Sequence, residues 1–187
     1  MASEDQDLRI LDGISRRDDQ ALRELYRCHG RRMFAHAFGI LGDRFLAEDA
    51  VQESLIAVWE GAASFHGRGR VIAWLLGIVH HKAIDLLRKR KTVLPLETEQ
   101  DEPAREKGPE ERASGTEYRR IVRRCLAELP LPQRMTLDLV FYQGLQLEEA
   151  ARILGVPVGT VKSRLHQAKD RLRKILTRAG WKAEDLR

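Results

Sequence analysis

A chain of 187 residues with a 43% hydrophobic fraction can bury one large core or two small ones, and it carries a formal net charge of only +5. Its two cysteines, Cys28 and Cys125, lie far apart without CxxC spacing, which excludes a disulfide framework and a zinc-finger set of the usual kind. No apolar run approaches the roughly 18 residues of a membrane span, and the polar, acidic start MASEDQDLRI lacks the pattern of an export signal.

Aromatic residues are sparse, Ala, Leu, Arg and Glu are common, and no pair of alternating segments reads as strands, so the expected fold is all-α. Residues 1–17 read as an N-terminal tail. From 18 to 91 apolar residues recur at helical spacing, with candidate helices over about Asp19 to Gly30, Arg31 to Leu41, Ala47 to Ala63 and Arg70 to Lys91. In the third, Val51, Leu55, Val58 and Trp59 form an inward stripe, while Asp49, Gln52 and Glu53 share another face. That acidic face suits either solvent or a basic partner. The last of these helices, WLLGIVHHKAIDLLRKRK, is apolar along its body and ends in Arg88, Lys89, Arg90 and Lys91. Cations at a helix C-terminus favour the macrodipole, but four in succession exceed that need and point to a polyanion. His81 and Asp85 share a face beside His80, yet no second ligand set accompanies them, so a metal site is not expected.

Between 92 and 115 the periodicity stops. Pro95, Pro103, Gly108 and Pro109 punctuate a stretch in which acids from Glu97 to Glu111 outnumber Arg105, Lys107 and Arg112. This segment reads as a flexible acidic linker between two small helical domains, 18–91 and 116–178, with 179–187 as a C-terminal tail.

The second domain holds the sharpest pattern. LQLEEAARILGVPVGTVKSRLHQAKDRLRKIL reads as a helix from about Glu148, a stop at Gly155, and a second helix opening at Gly159 and Thr160. Val161, Leu165, Ala168, Leu172 and Leu176 recur at i, i+4, i+7, i+11 and i+15 and face inward. Lys162, Ser163, His166, Gln167, Lys169 and Arg173 are left on the outside. This is the pattern of a helix-turn-helix whose second helix enters the major groove; an ordinary helical hairpin with a solvated basic face is the plain alternative.

In order, AEDAVQESLIAVW (47–59), WLLGIVHHKAIDLLRKRK (74–91) and LAELPLPQRMTLDLVFYQGLQLEEAARILGVPVGTVKSRLHQAKDRL (126–172) resemble regions 2.2, 2.3 with 2.4, and 4 of the sigma-70 family of bacterial RNA polymerase initiation factors. The small extracytoplasmic-function type, with domains two and four only, is the one resembled, and AWLLGIVHHKAID is similar to its sigma-K-like subgroup. The resemblance implies a non-enzymatic, cytoplasmic bacterial protein without a cofactor, monomeric when free, that binds core RNA polymerase and opens promoter DNA. It implies that Asp49, Gln52 and Glu53 dock on the β′ clamp coiled coil, with the β flap as a further polymerase contact. It implies that Phe65, His66, Arg68, His81, Lys82, Arg88 and Lys89 meet the −10 element, where a base is flipped into a pocket. Thr160, Lys162, Ser163, Arg164, His166, Gln167 and Lys169 would meet the −35 element and its phosphates. The acidic linker would thread the polymerase active-site cleft and RNA exit channel, imitating RNA. An anti-sigma factor is the implied regulator, rather than a thiol switch, since Cys28 and Cys125 fall in different domains.

The chain departs from the family pattern in places. His81 stands where Asn is common, and Arg68 and Gly69 stand where an acidic residue and Ser are common. Gln167 replaces a frequent Arg, exchanging a phosphate contact for a base-edge contact such as adenine. Two rivals remain at this level: a free-standing dimeric repressor using the helix-turn-helix alone, and a metal-dependent hydrolase built on His80, His81 and Asp85.

Overall fold

The computed structural model describes residues 4–67, 69–93 and 124–178. All regular elements among them are helical, and the chain divides into two compact units, residues 1–101 and 102–187. α4 runs through Thr92 and Val93, two residues into the expected linker; the rest of the acidic linker and Arg68 lie outside the described residues, as do the start of the second domain and the C-terminal tail.

The first unit contains α1 (Glu4–Ser15), α2 (Asp19–Leu41), α3 (Arg44–Gly61), a 3-10 turn (Ala62–Ser64) and α4 (Val71–Val93). α1 corrects the expectation of a tail over 1–17. Ile10, Leu11 and Ile14 are buried against Leu25, Val58, Val71 and Leu75, and buried Asp7 lies 2.8 Å from His29 of α2. The Val71 backbone N–H, at the start of α4, donates to Glu4 Oε1 at 3.3 Å, so α1 also satisfies one of the orphan donors of α4. Short apolar spacing among many acids hid this helix from the periodicity argument.

A second correction concerns the expected break after Gly30. α2 runs unbroken to Leu41, with Gly30 buried in its middle. A Cβ there would stand 2.7 Å from the ring of Tyr26, a largely exposed side chain that lies over the glycine, and the helix runs on because Met33, His36, Ala37 and Ile40 keep its buried face in phase. The true stop comes at Gly42, in the left-handed region at φ 66°, whose N–H bonds the Phe38 carbonyl. Asp43 then starts α3, its side chain accepting from Leu46 N at 3.1 Å. Among the described residues Arg17 is the non-glycine at positive φ (66°); its guanidinium donates to the Trp59 carbonyl at 3.0 Å and lies over the Trp59 ring, pinning the α1–α2 turn to α3.

The second unit has a helical turn at 124–127, α5 (Leu131–Leu137), a π-helical turn (Asp138–Tyr142), α6 (Leu147–Leu154) and α7 (Val158–Arg178). Pro132 sits in the first turn of α5, where its missing N–H costs nothing. α6 begins with Gln146 N donating to Glu149 Oε2 at 2.8 Å and ends at Gly155, φ 62°, as the spacing predicts. On α7, Val161, Leu165, Ala168, Ile175 and Leu176 are buried, and Leu172 packs against the Cys125–Leu129 cluster. Cys125 is buried there, and burial with the nearby Glu128 carboxylate pushes its thiol pKa up, away from reactivity.

Candidate polymerase and nucleic-acid interfaces

α3 is amphipathic in an unusual sense. Its inner face buries Ala47, Ala50, Val51, Ser54 and Val58. On its outer face Asp49 and Gln52 are exposed and Glu53 is half-buried, as the sequence spacing requires. Between and beyond them stand Phe45 and Ile56, exposed by 67% and 59%. Phe45, Asp49, Gln52 and Ile56 follow i, i+4, i+7 and i+11, so two large apolar groups flank the acidic positions on one stripe. Sequence reasoning missed this pair. The available signal was that Phe45 and Ile56 are out of phase with the Val51–Val58 stripe. Glu53 Oε2 lies 3.4 Å from Lys82 Nζ of α4, so a residue expected at the clamp and one expected at the −10 element are ion-paired partners.

Of the other expected −10 residues that are described, Phe65 and His66 precede α4, and His81, Arg88 and Lys89 are spread along it. Phe65 is half-buried, its ring 5.4 Å from Trp74 and tilted by 54°, while His66 is exposed. Trp74, His81 and Arg88 follow at i, i+7 and i+14 on one stripe, and a helix rises about 1.5 Å per residue, so this stripe is about 20 Å long. His81 is exposed, with Nδ1 donating to the Gly77 carbonyl at 2.6 Å, which fixes its tautomer and leaves Nε2 outward. Arg88 and Lys89 are exposed at the basic end, Arg88 lying 3.7 Å from Asp85.

His80 faces inward, its ring edge-on to that of His81 with centroids 5.9 Å apart. It is buried, stacked on His36 with ring nitrogens 3.3 Å apart. Burial, helped by His36 and His81, lowers its pKa to about 3, so it is neutral at ordinary pH and packs as part of the core. His80 is buried against His36 while His81 and Asp85 are exposed, and no group of three or more His, Cys, Asp or Glu among the described residues could hold a metal ion.

In the second unit the first turns of α7 present Lys162 and Ser163 to solvent, with Thr160 and Arg164 half-buried beside them. Thr160 N and Val161 N donate to the Pro157 carbonyl, and Ser163 Oγ donates to Thr160 O at 3.0 Å. Further along, the expected reading residues are braced. His166 lies 3.3 Å from Asp170, Lys169 Nζ sits 5.0 Å from the Phe141 ring centroid, and Gln167 Oε1 accepts from Gln133 Nε2 at 3.1 Å. These partners come from the π-helical turn, from α5 and from the next turn of α7 itself.

Residues 25–93 match Sigma-70 region 2 and residues 119–172 match Sigma-70 region 4. The chain is an extracytoplasmic-function member of the sigma-70 family. This sigma factor is 34% identical to the ECF RNA polymerase sigma factor SigM of Mycobacterium tuberculosis over 161 residues, covering 85% of the chain and 79% of SigM. It is 31% identical to SigK of Mycobacterium bovis over 175 residues, covering 89% of the chain and 93% of SigK. Among solved structures it is similar to the sigma factor RpoE of Bartonella quintana, in complex with the anti-sigma factor NepR, at 25% identity with TM-score 0.64, covering 83% of the chain and 96% of RpoE. It shares its fold with CnrH, solved with the cytosolic domain of CnrY, at 22% identity and TM-score 0.66, covering 91% and 97% of the two chains. Membership makes it a transcription initiation factor rather than an enzyme. The region 2 match begins inside α2, so α1 lies ahead of it. No helix among the described residues is long and apolar enough to cross a membrane.

Proposed function

We propose that the two units of this sigma factor divide recognition between them. The outer face of α3, with Asp49, Gln52 and Glu53 flanked by Phe45 and Ile56, docks on the basic β′ clamp coiled coil of core RNA polymerase; apolar anchors ringed by charge are what a specific protein partner uses. Phe65, His66, Arg68, His81, Lys82, Arg88 and Lys89 serve the −10 element, with Arg88 and Lys89 on the phosphates and the Phe65–Trp74 edge against an extruded base. Thr160, Lys162, Ser163, Arg164, His166, Gln167 and Lys169 serve the −35 element, the first turns of α7 entering the major groove. The β flap is the further polymerase contact. The factor works in the bacterial cytoplasm and is a monomer when free.

The observation that carries this reading is the contrast in exposed chemistry between the acidic and apolar α3 face and the cationic start of α7. An anti-sigma factor is the proposed regulator, supported by the complex of the Bartonella RpoE with NepR. The test is transcription from fragmented genomic DNA by purified core RNA polymerase with and without this protein. New start sites sharing −10 and −35 motifs are expected; no initiation, with tight dimeric binding of the protein alone to duplex DNA, would favour the repressor reading instead.

A further inference from the structure

The loop between α3 and α4 carries Phe65 and His66, and it has little to stiffen it from within. Gly67 and Gly69 stand at positive φ, 69° and 102°, and neither has a side chain to pack against the rest of the unit. The ends of the loop are held from outside, and both holds come from the chain around α1. At one end the Arg17 guanidinium, in the α1–α2 turn, donates to the Trp59 carbonyl in the last turn of α3 and lies 5.4 Å from the Trp59 ring centroid. At the other the Glu4 carboxylate, at the start of α1, accepts from Val71 N, the first residue of α4. A cation therefore sits at a helix C-terminus and an anion at a helix N-terminus, each matching the macrodipole it meets. Between these two points Ile10, Leu11 and Ile14 share one cluster with Ala62 and Val71, against which Phe65 and Trp74 pack. Arg17 is itself in the left-handed region, a conformation that a side chain disfavours and that persists only where the surroundings enforce it.

We infer that Glu4 and Arg17 are positioning residues for −10 recognition: they fix the two ends of the loop, so that Phe65 and His66 are in place for an extruded base before the DNA arrives. The inference rests on the proposed −10 role of this loop. Contacts in the pocket offset the cost of extruding a base, and a pocket that must first be assembled returns less of it. If only a fraction of molecules hold the loop in the receiving arrangement, affinity for the base falls by that fraction. Promoters whose base does not enter the pocket gain nothing from the loop and lose nothing when it loosens. Removing either hold therefore narrows the base preference at one −10 position instead of lowering all transcription.

The test is transcription by core RNA polymerase with the full chain on a promoter library randomised across the −10 element, scored by base at each position. Phe65→Ala with His66→Ala marks the position that the loop reads. Glu4→Ala and Arg17→Gly should each lower output from the preferred base at that position about threefold, the weight of one partly exposed hydrogen bond, with output from the other bases and the −35 preference unchanged. The pair together should approach a loss of about tenfold, since they hold opposite ends of the loop. Glu4→Gln, which keeps an acceptor oxygen, should retain most of the preference. Glycine suits the left-handed backbone at residue 17, so Arg17→Gly should melt close to the parent temperature while its preference narrows. A purely structural role would lower output from every base alike, in step with melting temperature, and that result overturns the inference. If the Phe65 and His66 variant alters the preference while the Glu4 and Arg17 variants do not, this inference alone fails. If the Phe65 and His66 variant alters no preference either, the −10 reading of the loop fails with it.

Discussion

The outer faces of α3 and α7 are both polar surfaces on well-buried helices, but they leave different chemistry to solvent. On α3 the exposed stripe mixes carboxylates with Phe45 and Ile56, whose burial would release apolar surface from water. On α7 the exposed residues of the first turns are Lys162 and Ser163, and the residues beyond them are held by Asp170, Gln133 and Phe141. A surface meant for a protein needs desolvated anchors, whereas a surface meant for a duplex needs charge and a fixed donor and acceptor pattern. Of the contacts on α7, the one from buried Gln133 is anchored in the core, whereas the His166–Asp170 and Lys169–Phe141 pairs are solvent-exposed and hold their side chains weakly.

The largest expected effect comes from reversing the α3 charge. Asp49→Lys with Glu53→Lys should weaken binding to core polymerase by about 3 kcal/mol, measured by competition against a labelled factor, because like charges would meet the basic coiled coil. Output from a −35 variant promoter should fall in proportion to that from the parent promoter; a change in their ratio would merge the two faces that are separated here. Next, Lys162→Ala with Arg164→Ala should lower promoter-dependent transcription by about 2 kcal/mol, and core affinity should stay constant, since the proposed division gives these residues to DNA and not to the polymerase. Equal loss of core binding would erase the contrast.

Phe45→Ser and Ile56→Ser should each reduce core affinity by about 1 to 2 kcal/mol with little change in melting temperature, because both side chains are already in water in the free protein. Unchanged affinity would leave the carboxylates as the whole of that face. The last effect is on stability and is absent at neutral pH, appearing only in acid. His80 has a pKa of about 3 when folded against 6.5 when free, so the unfolded chain binds the extra proton between those values. Its contribution is complete above pH 6.5 and is lost progressively as pH falls toward 3, at no more than about 1.4 kcal/mol per pH unit. His80→Leu should flatten the fall in melting temperature of the first unit over that range; an unaltered acid profile would assign the slope to other groups.

Much of the fold could be read from spacing because the second unit is written in strong local signals. Gly155 at the stop of α6 and the Val161–Leu176 stripe of α7 are where the pattern places them. The losses have a common origin in contacts between distant residues. Gly30 signalled a break by itself, but Met33, His36, Ala37 and Ile40 carry the buried face of α2 on past it, packed against the rest of the unit. In α1 the buried positions 7, 10, 11 and 14 are helically spaced, but the first of them is an acid, and its place in the core depends on the pairing of Asp7 with His29 and of Glu4 with Val71. The π-helical turn puts Phe141 beneath Lys169, and nothing in the local sequence marks that contact. For the interfaces, the carboxylates of α3 and the cations of α7 were legible as charge, but Phe45, Ile56 and the hold of Gln133 on Gln167 needed coordinates.

α1 also decides where this protein can be cut. A fragment starting at residue 25, where the match to region 2 begins, would lose Ile10, Leu11 and Ile14 and open Val58, Val71 and Leu75 to water. Burying an aliphatic side chain is worth about 1.5 to 3 kcal/mol, so the three together rival the whole stability of a small domain. The shortest piece of the first unit that can be expected to fold by itself starts at Glu4, and a boundary drawn from family similarity alone would give an aggregating product.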